Sequence, residues 1–293
     1  MPVVRSASLS AAAALVCAGA SVCARADAQT DAEPRSILFY GNSFSQSGPG
    51  VDDLVQDLAV AAGHAEPYVF GLFVGGKDLR WHYSNATSII DSQIPEGQTW
   101  DHLVLQGHSL RPTTHPTEGD RDRFRTSALG LFEAMLDHSP EADVTLFETW
   151  ARAPGHAFYP DVWPEPAAMQ AELRAGYAQA AADLRAIGSA EVAPVGSAFE
   201  QAGFDPGLYA DDLWHARNKG ALLIGLTLYG SIYDDPALAD LDPIQLADLA
   251  ADLGLDPADT AEVLAAAEAA MIPTPAGVLA LLGGVLLATG RRR

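Results

Sequence analysis

Residues Ile37-Leu38-Phe39-Tyr40-Gly41-Asn42-Ser43-Phe44-Ser45 run from an unbroken apolar stretch into a Gly-Asn-Ser turn. A short apolar run with no polar alternation, stopped by turn residues, reads as a strand buried on both faces. Residues 50–62 then space their apolar positions as a helix does. A serine at such a strand-to-helix turn sits at the carboxyl end of its strand, where open α/β sheets carry their chemistry.

Outward from this stretch the same alternation continues to about Tyr233. Further candidate strands are Tyr68–Val74, His102–Gln106, Val144–Glu148 and Glu191–Val195, separated by helical readings at 120–138 and 165–187 and closed by a helix over 216–233. Short apolar strands separated by helices predict an α/β domain with a parallel sheet and helices on both faces. Ser43, Gly75-Gly76, His108 and Trp150 each follow a predicted strand end.

A serine hydroxyl becomes a useful nucleophile only when a base takes its proton, and a histidine base needs a carboxylate to hold its tautomer. Ser43 and the downstream run Tyr209-Ala210-Asp211-Asp212-Leu213-Trp214-His215 supply all three groups. In an Asp-x-x-His turn the carboxylate of Asp212 can reach the ring of His215, while Asp211 is one residue out of register and reads as a surface or cap residue.

The segment Phe39–Ser45 resembles the first block of the SGNH (GDSL-like) hydrolases, with Gly-Asn-Ser in place of the commoner Gly-Asp-Ser. Val74-Gly75-Gly76-Lys77-Asp78-Leu79 is similar to the second block, Leu103-Val104-Leu105-Gln106-Gly107-His108-Ser109 stands where the third lies, and Asp212-Leu213-Trp214-His215 matches the family's Asp-x-x-His. The resemblance covers residues 36–233. It implies a three-layer α/β/α sandwich of flavodoxin-like type with a five-stranded parallel sheet, and an esterase with Ser43, His215 and Asp212 as its triad. It also implies an oxyanion hole from the Ser43 and Gly76 N–H groups, with Gly75 the near alternative to Gly76. His108 occupies the position of the family's asparagine donor, which a neutral imidazole with one N–H can replace. Gln106 and Trp150 are candidates for the pocket wall; Arg152 and His156, after the same strand as Trp150, are candidates for either lining or packing. No metal and no organic cofactor is implied.

The 293 residues carry a formal charge of −21, which disfavours nucleic acid and anionic membranes as partners. Residues 1–28 read as a secretory signal peptide: Arg5, then a small-residue apolar run, then Ala24-Arg25-Ala26 and Ala26-Asp27-Ala28 as cleavage candidates. Cys17 and Cys23 both fall within it, so the mature chain offers no thiol nucleophile or thiolate metal ligand. Residues 35–234 form the expected hydrolase domain. Residues 235–270, with Leu241-Asp242-Pro243 and Leu255-Asp256-Pro257 as helix starts, read as an acidic helical spacer. Residues 271–293 join Pro273-Thr274-Pro275, an apolar run and three terminal arginines. This resembles the PEP-CTERM sorting tail of exported bacterial proteins, implying a sorting protease as partner and transient membrane anchoring at the cell envelope; a plain membrane anchor is the alternative.

The expected substrate is a small acyl ester, with an acetyl group on carbohydrate as the narrower expectation from the resemblance. The alternative is a non-catalytic surface binding protein that kept the fold, which the altered third block favours. Two other chemistries fail, one on residue type and one on spacing. Gly71-x-x-x-x-Gly76-Lys77 approaches a phosphate-binding loop, but Asp78 stands where a magnesium-binding hydroxyl is needed. His108, His115 and His156 have no recognisable metal-ligand spacing.

Overall fold

The computed structural model describes residues 34–272. Five strands, β1 (Ser36–Gly41), β2 (Tyr68–Phe73), β3 (His102–Gln106), β4 (Asp143–Phe147) and β5 (Ala190–Ala193), form one parallel sheet in the order β2-β1-β3-β4-β5. Every residue of β1 is buried, as expected of a central strand covered on both faces. Its side chains alternate between two cores. Ile37 and Phe39 join one, Leu38 and Tyr40 the other. β3 does the same, with Val104 on one side and Leu103 and Leu105 on the other.

The helices are α1 (Val51–Ala61), α2 (Leu79–Asn85), α3 (Ile89–Ser92), α4 (Arg121–His138), α5 (Pro166–Leu184), α6 (Val195–Gln201), α7 (Asn218–Ile232), α8 (Pro243–Asp252) and α9 (Pro257–Met271). The first core takes its helical side from α1, α6, α7, α8 and α9, and the second from α2, α3 and α4. α5 feeds both, through Leu173 and Tyr177. The three-layer α/β/α sandwich expected from the sequence is therefore the fold. Its strand order reverses direction between β1 and β3, and a crevice opens at such a switch point. Ser43 follows β1 and His108 follows β3.

Both Asp-Pro starts begin helices as expected. Asp242 accepts from the N–H groups of Ile244 and Gln245, and Asp256 from those of Ala258 and Asp259. The spacer reading of residues 235–270 is corrected by their packing. Leu246, Ala250, Val263, Ala266 and Ala267 are buried in the first core, and α9 lies against α6 and α7. Lys219, at the start of α7, binds Asp205, Asp259 and Glu262 at 2.8, 2.9 and 2.9 Å, so one cation holds two acids of α9 to the sheet domain. The signal-peptide reading of residues 1–28 and the tail reading beyond Ile272 lie outside the described residues. Among the described residues no helix is long and apolar enough to cross a membrane.

Candidate active site

The Ser43 hydroxyl donates to Nε2 of His215 at 2.9 Å, and Nδ1 of His215 donates to Oδ2 of Asp212 at 2.5 Å. The three residues named from the sequence thus form one continuous hydrogen-bonded line. Two local structures aim them. β1 ends at Gly41, and a turn closed by the Ser45 N–H on the Asn42 carbonyl at 3.0 Å carries Ser43 away from the sheet. On the other side, Tyr209 and Ala216 form an antiparallel bridge, and the Ala210 N–H donates to the His215 carbonyl at 2.8 Å. That loop is tight enough to force Leu213 to φ 67°, a left-handed conformation that places Asp212 and His215 on the same side.

Asp212 is held from several directions. Its Oδ1 accepts the N–H groups of Trp214 and His215 at 3.0 Å each. Burial pushes its pKa up, but these bonds and the one from the His215 ring outweigh it, and the carboxyl lies below its ordinary value. Asp212 is therefore ionised wherever His215 is needed as a base. Asp211 points outward and pairs with Arg217 instead. The indole N–H of Trp214 also sits 2.6 Å from Nδ1 of His215. One ring nitrogen cannot donate to a carboxylate and accept from an indole at once. The charge-assisted bond to Asp212 is the stronger, so Nδ1 carries the proton and the indole faces it donor to donor.

A tetrahedral oxyanion needs donors not already used. Neither the Ser43 N–H nor the Gly76 N–H has an acceptor among the described residues. Gly76 has φ 71° in a turn closed by the Lys77 N–H on the Val74 carbonyl at 3.0 Å, and a Cβ there would meet nothing. The glycine is thus needed for its backbone angle, not for space. Gly75 lies exposed beside it. Asn42, whose role the motif alone did not reveal, ties this loop to the nucleophile turn. Its Nδ2 donates to the Lys77 carbonyl at 2.9 Å and its Oδ1 accepts the Phe44 N–H at 3.1 Å. His108 is largely buried, and its Nδ1 has no partner. Burial, then the charge of Arg111, lowers its pKa, so the imidazole is neutral.

Two expected pocket residues prove to be internal supports. Gln106 is 1% exposed, and its Oε1 accepts the Asn42 N–H at 2.9 Å and the Ser45 hydroxyl at 3.0 Å. Trp150 is 0% exposed, stacked between Phe44 and Phe199 at 4.5 and 4.6 Å, and its indole donates to the Trp214 carbonyl at 2.8 Å. Gln106 braces the nucleophile side and Trp150 the histidine side. Beneath Trp150, buried Glu148 accepts from Gln170 and Ser197 at 2.8 and 3.0 Å, and Gln170 accepts the Ala151 N–H at 2.8 Å. The histidines set aside as metal ligands have local tasks. Nδ1 of His115 accepts the Glu118 N–H at 3.3 Å and Nδ1 of His156 the Phe158 N–H at 3.1 Å. Among the described residues no three His, Cys, Asp or Glu side chains gather as a metal site. Asp78 caps α2 and pairs with Arg111 and Arg123.

No protein-family model matches the chain, and no curated protein matches it. Solved structures do. A proposed SGNH hydrolase from Slackia heliotrinireducens is similar at 25% identity and TM-score 0.54, covering 68% of this chain and 99% of its own. A DUF4886 family protein from Bacteroides uniformis is similar at 17% identity and TM-score 0.64, covering 80% and 94%. A carbohydrate esterase family 3 structure from Talaromyces cellulolyticus is similar at 14% identity and TM-score 0.51, covering 71% and 100%. The two more distant likenesses speak for the fold alone. The Slackia structure, at the higher identity, supports a hydrolase with the SGNH type of fold.

Proposed function

We propose that this chain is an exported serine esterase that hydrolyses small acyl esters, with acetyl groups on carbohydrate as the preferred class. The observation that carries the proposal is the hydrogen-bonded line from Ser43 through His215 to Asp212, drawn from segments 172 residues apart. Ser43 Oγ attacks the ester carbonyl carbon while Nε2 of His215 takes its proton. The carbonyl oxygen becomes an oxyanion, held by the Ser43 and Gly76 N–H groups and by an N–H of neutral His108. Collapse breaks the bond to the alcohol oxygen, which leaves with the proton from His215. A water then attacks the acyl-serine by the same route and returns Ser43 with a free acid. Asp212 stays ionised throughout and stabilises the imidazolium. The carbohydrate part of the reading draws on the shared fold of the Talaromyces esterase. Export and the sorting protease draw on the residue patterns of the two ends.

The test is hydrolysis of p-nitrophenyl acetate and acetylated xylan by the wild type and by Ser43→Ala. Loss of the nucleophile costs about 10⁴ to 10⁶ in kcat in such triads. The activity is expected to survive a chelator and to be blocked by a serine-directed phosphonate. A folded Ser43→Ala protein with a tenth of wild-type activity sinks the mechanism. A wild type inert on all esters but binding acetylated sugar points to the non-catalytic alternative.

A further inference from the structure

Arg152 is a cation in an unusual place. It lies in the loop after β4, is 5% exposed, and spends one nitrogen on a neutral partner, Nη2 donating to Ser109 Oγ at 2.9 Å. Nε and Nη1 are buried with no partner, and among the described residues no carboxylate pairs with it. Around it stand rings, with Trp214 at 5.2 Å, Phe44 at 5.5 Å and Phe158 at 5.9 Å from the guanidinium carbon. Cation–π attraction offsets only part of what a buried guanidinium loses in leaving water. A buried cation left unpaired is stabilised by any counter-charge that reaches it from outside.

The neighbours of Arg152 define where that charge would sit. Phe44 is next to Ser43, Trp214 next to His215, and Ser109 next to His108. Arg152 therefore touches all three segments that meet at the reacting carbon. The carboxylates that act on Arg152 are those of Glu118 and Asp212, and neither pairs with it directly; nearby, Arg80, Arg111 and Arg123 gather with His108 around the single carboxylate of Asp78. Burial lowers the Arg152 pKa only to about 10, so it is charged at neutral pH. Of the three rings around it, Trp214 is the one that reaches solvent, at 37% exposed, and its indole nitrogen lies 2.6 Å from Nδ1 of His215.

We propose that Arg152 is a specificity-determining residue that binds a carboxylate carried by the ester close to its scissile bond, so that the favoured substrates are acidic esters. This rests on the esterase reading above and narrows its substrate class. Guanidinium and carboxylate match in shape and charge, and the pair forms where water is already excluded.

The experiment compares charged and neutral twins. p-Nitrophenyl hemisuccinate is paired with p-nitrophenyl butyrate for a carboxylate on the acyl side, and O-acetyl-lactate with O-acetyl-lactamide for one on the alcohol side. In the wild type, one charged ester is expected to exceed its twin in kcat/KM by about tenfold or more. In Arg152→Met that ratio collapses toward unity, and in Arg152→Lys part of it remains. Neither charged ester exceeding its twin, or a ratio unchanged in Arg152→Met, overturns the assignment. Should Arg152→Met not fold, the wild type decides: succinate or lactate must inhibit competitively and raise the melting temperature where succinamide and lactamide do not. If no ester is turned over, the same melting shift separates the two ideas. A shift with the acids alone supports the Arg152 site while the esterase reading fails, and no shift removes both.

Discussion

The side-chain oxygen of Gln106 accepts the Asn42 N–H at 2.9 Å, one residue before the nucleophile. The end of β3 thereby fixes the turn after β1, and the Ser45 hydroxyl shares the same oxygen. Gln106→Leu keeps the volume and removes the acceptor. Each stranded buried donor costs about 1–3 kcal/mol. We expect a lower melting temperature and a kcat that falls more than KM rises, because the Ser43 turn loses its brace. A variant as stable and as fast as wild type would show that the brace is dispensable.

Asp212→Asn is expected to reduce kcat by about 10⁴, since an amide no longer holds the imidazole in the working tautomer. Asp211→Asn loses only an exposed pairing with Arg217 and is expected to stay near wild type. Steady-state rates on one p-nitrophenyl ester suffice. Equal losses in the two variants would mean that the carboxylate has been assigned one residue off.

His108→Ala is expected to lower kcat about 10²-fold if its N–H holds the oxyanion. His108→Asn, with an amide donor of similar reach, is expected to recover part of that. The burial and neutral state of His108 motivate the expectation. An alanine variant with undiminished kcat makes the residue a packing element of the β3 end.

Glu148 ties pH to stability. Burial raises its pKa from 4.5 to about 7, against the smaller opposing pull of Arg174 and its hydrogen bonds. A carboxyl with a raised folded-state pKa contributes stability that is complete below its unfolded pKa and is lost as pH rises through the folded one. Melting temperatures of wild type and Glu148→Gln, measured from pH 4 to 8, are expected to diverge in slope, with the wild type falling more steeply toward neutrality. Parallel curves would count against a proton held there.

A chain of residues 34–272 is expected to fold and retain activity. One ending after Asp234 is expected to fail. It lacks Leu246 and Val263 from the first core, each worth about 1.5–3 kcal/mol on burial. The buried alanines of both helices and two of the acids on Lys219 go with them, and a typical domain has only about 5–15 kcal/mol to lose. A cooperative melt of the shorter chain within a few degrees of the longer would restore the view of α8 and α9 as an appendage.

The strands were legible because each is a short apolar run with turn residues after it, and the line Ser43–His215–Asp212 because its residue types and order are restrictive. Gln106 and Trp150 differ from the sequence expectation for one shared reason. Position at a strand end says that a residue is near the crevice, not whether its side chain points into it, and both point inward. The packing of α9 is not legible in the sequence because its buried face is Val263, Ala266 and Ala267. Alanine contributes little to an apolar periodicity, yet it lets helices approach closely. α2, α3 and α6 are too short for spacing to register. Arg152 was visible as a residue near the site, but its missing partner is a fact of three dimensions.

The loop that carries Asp212 and His215 is less secure than the sheet it faces. Leu213 holds a left-handed angle there at about 1–2 kcal/mol, a cost the sheet does not share. Regions open locally in order of their own stability, ahead of the whole. Heating should therefore silence this protein before it unfolds it. Residual activity after a warm incubation reports the loop, whereas circular dichroism reports the sheet, and the interval between the two midpoints measures how much of the fold's security the Tyr209–Ala216 bridge gives to the chemistry.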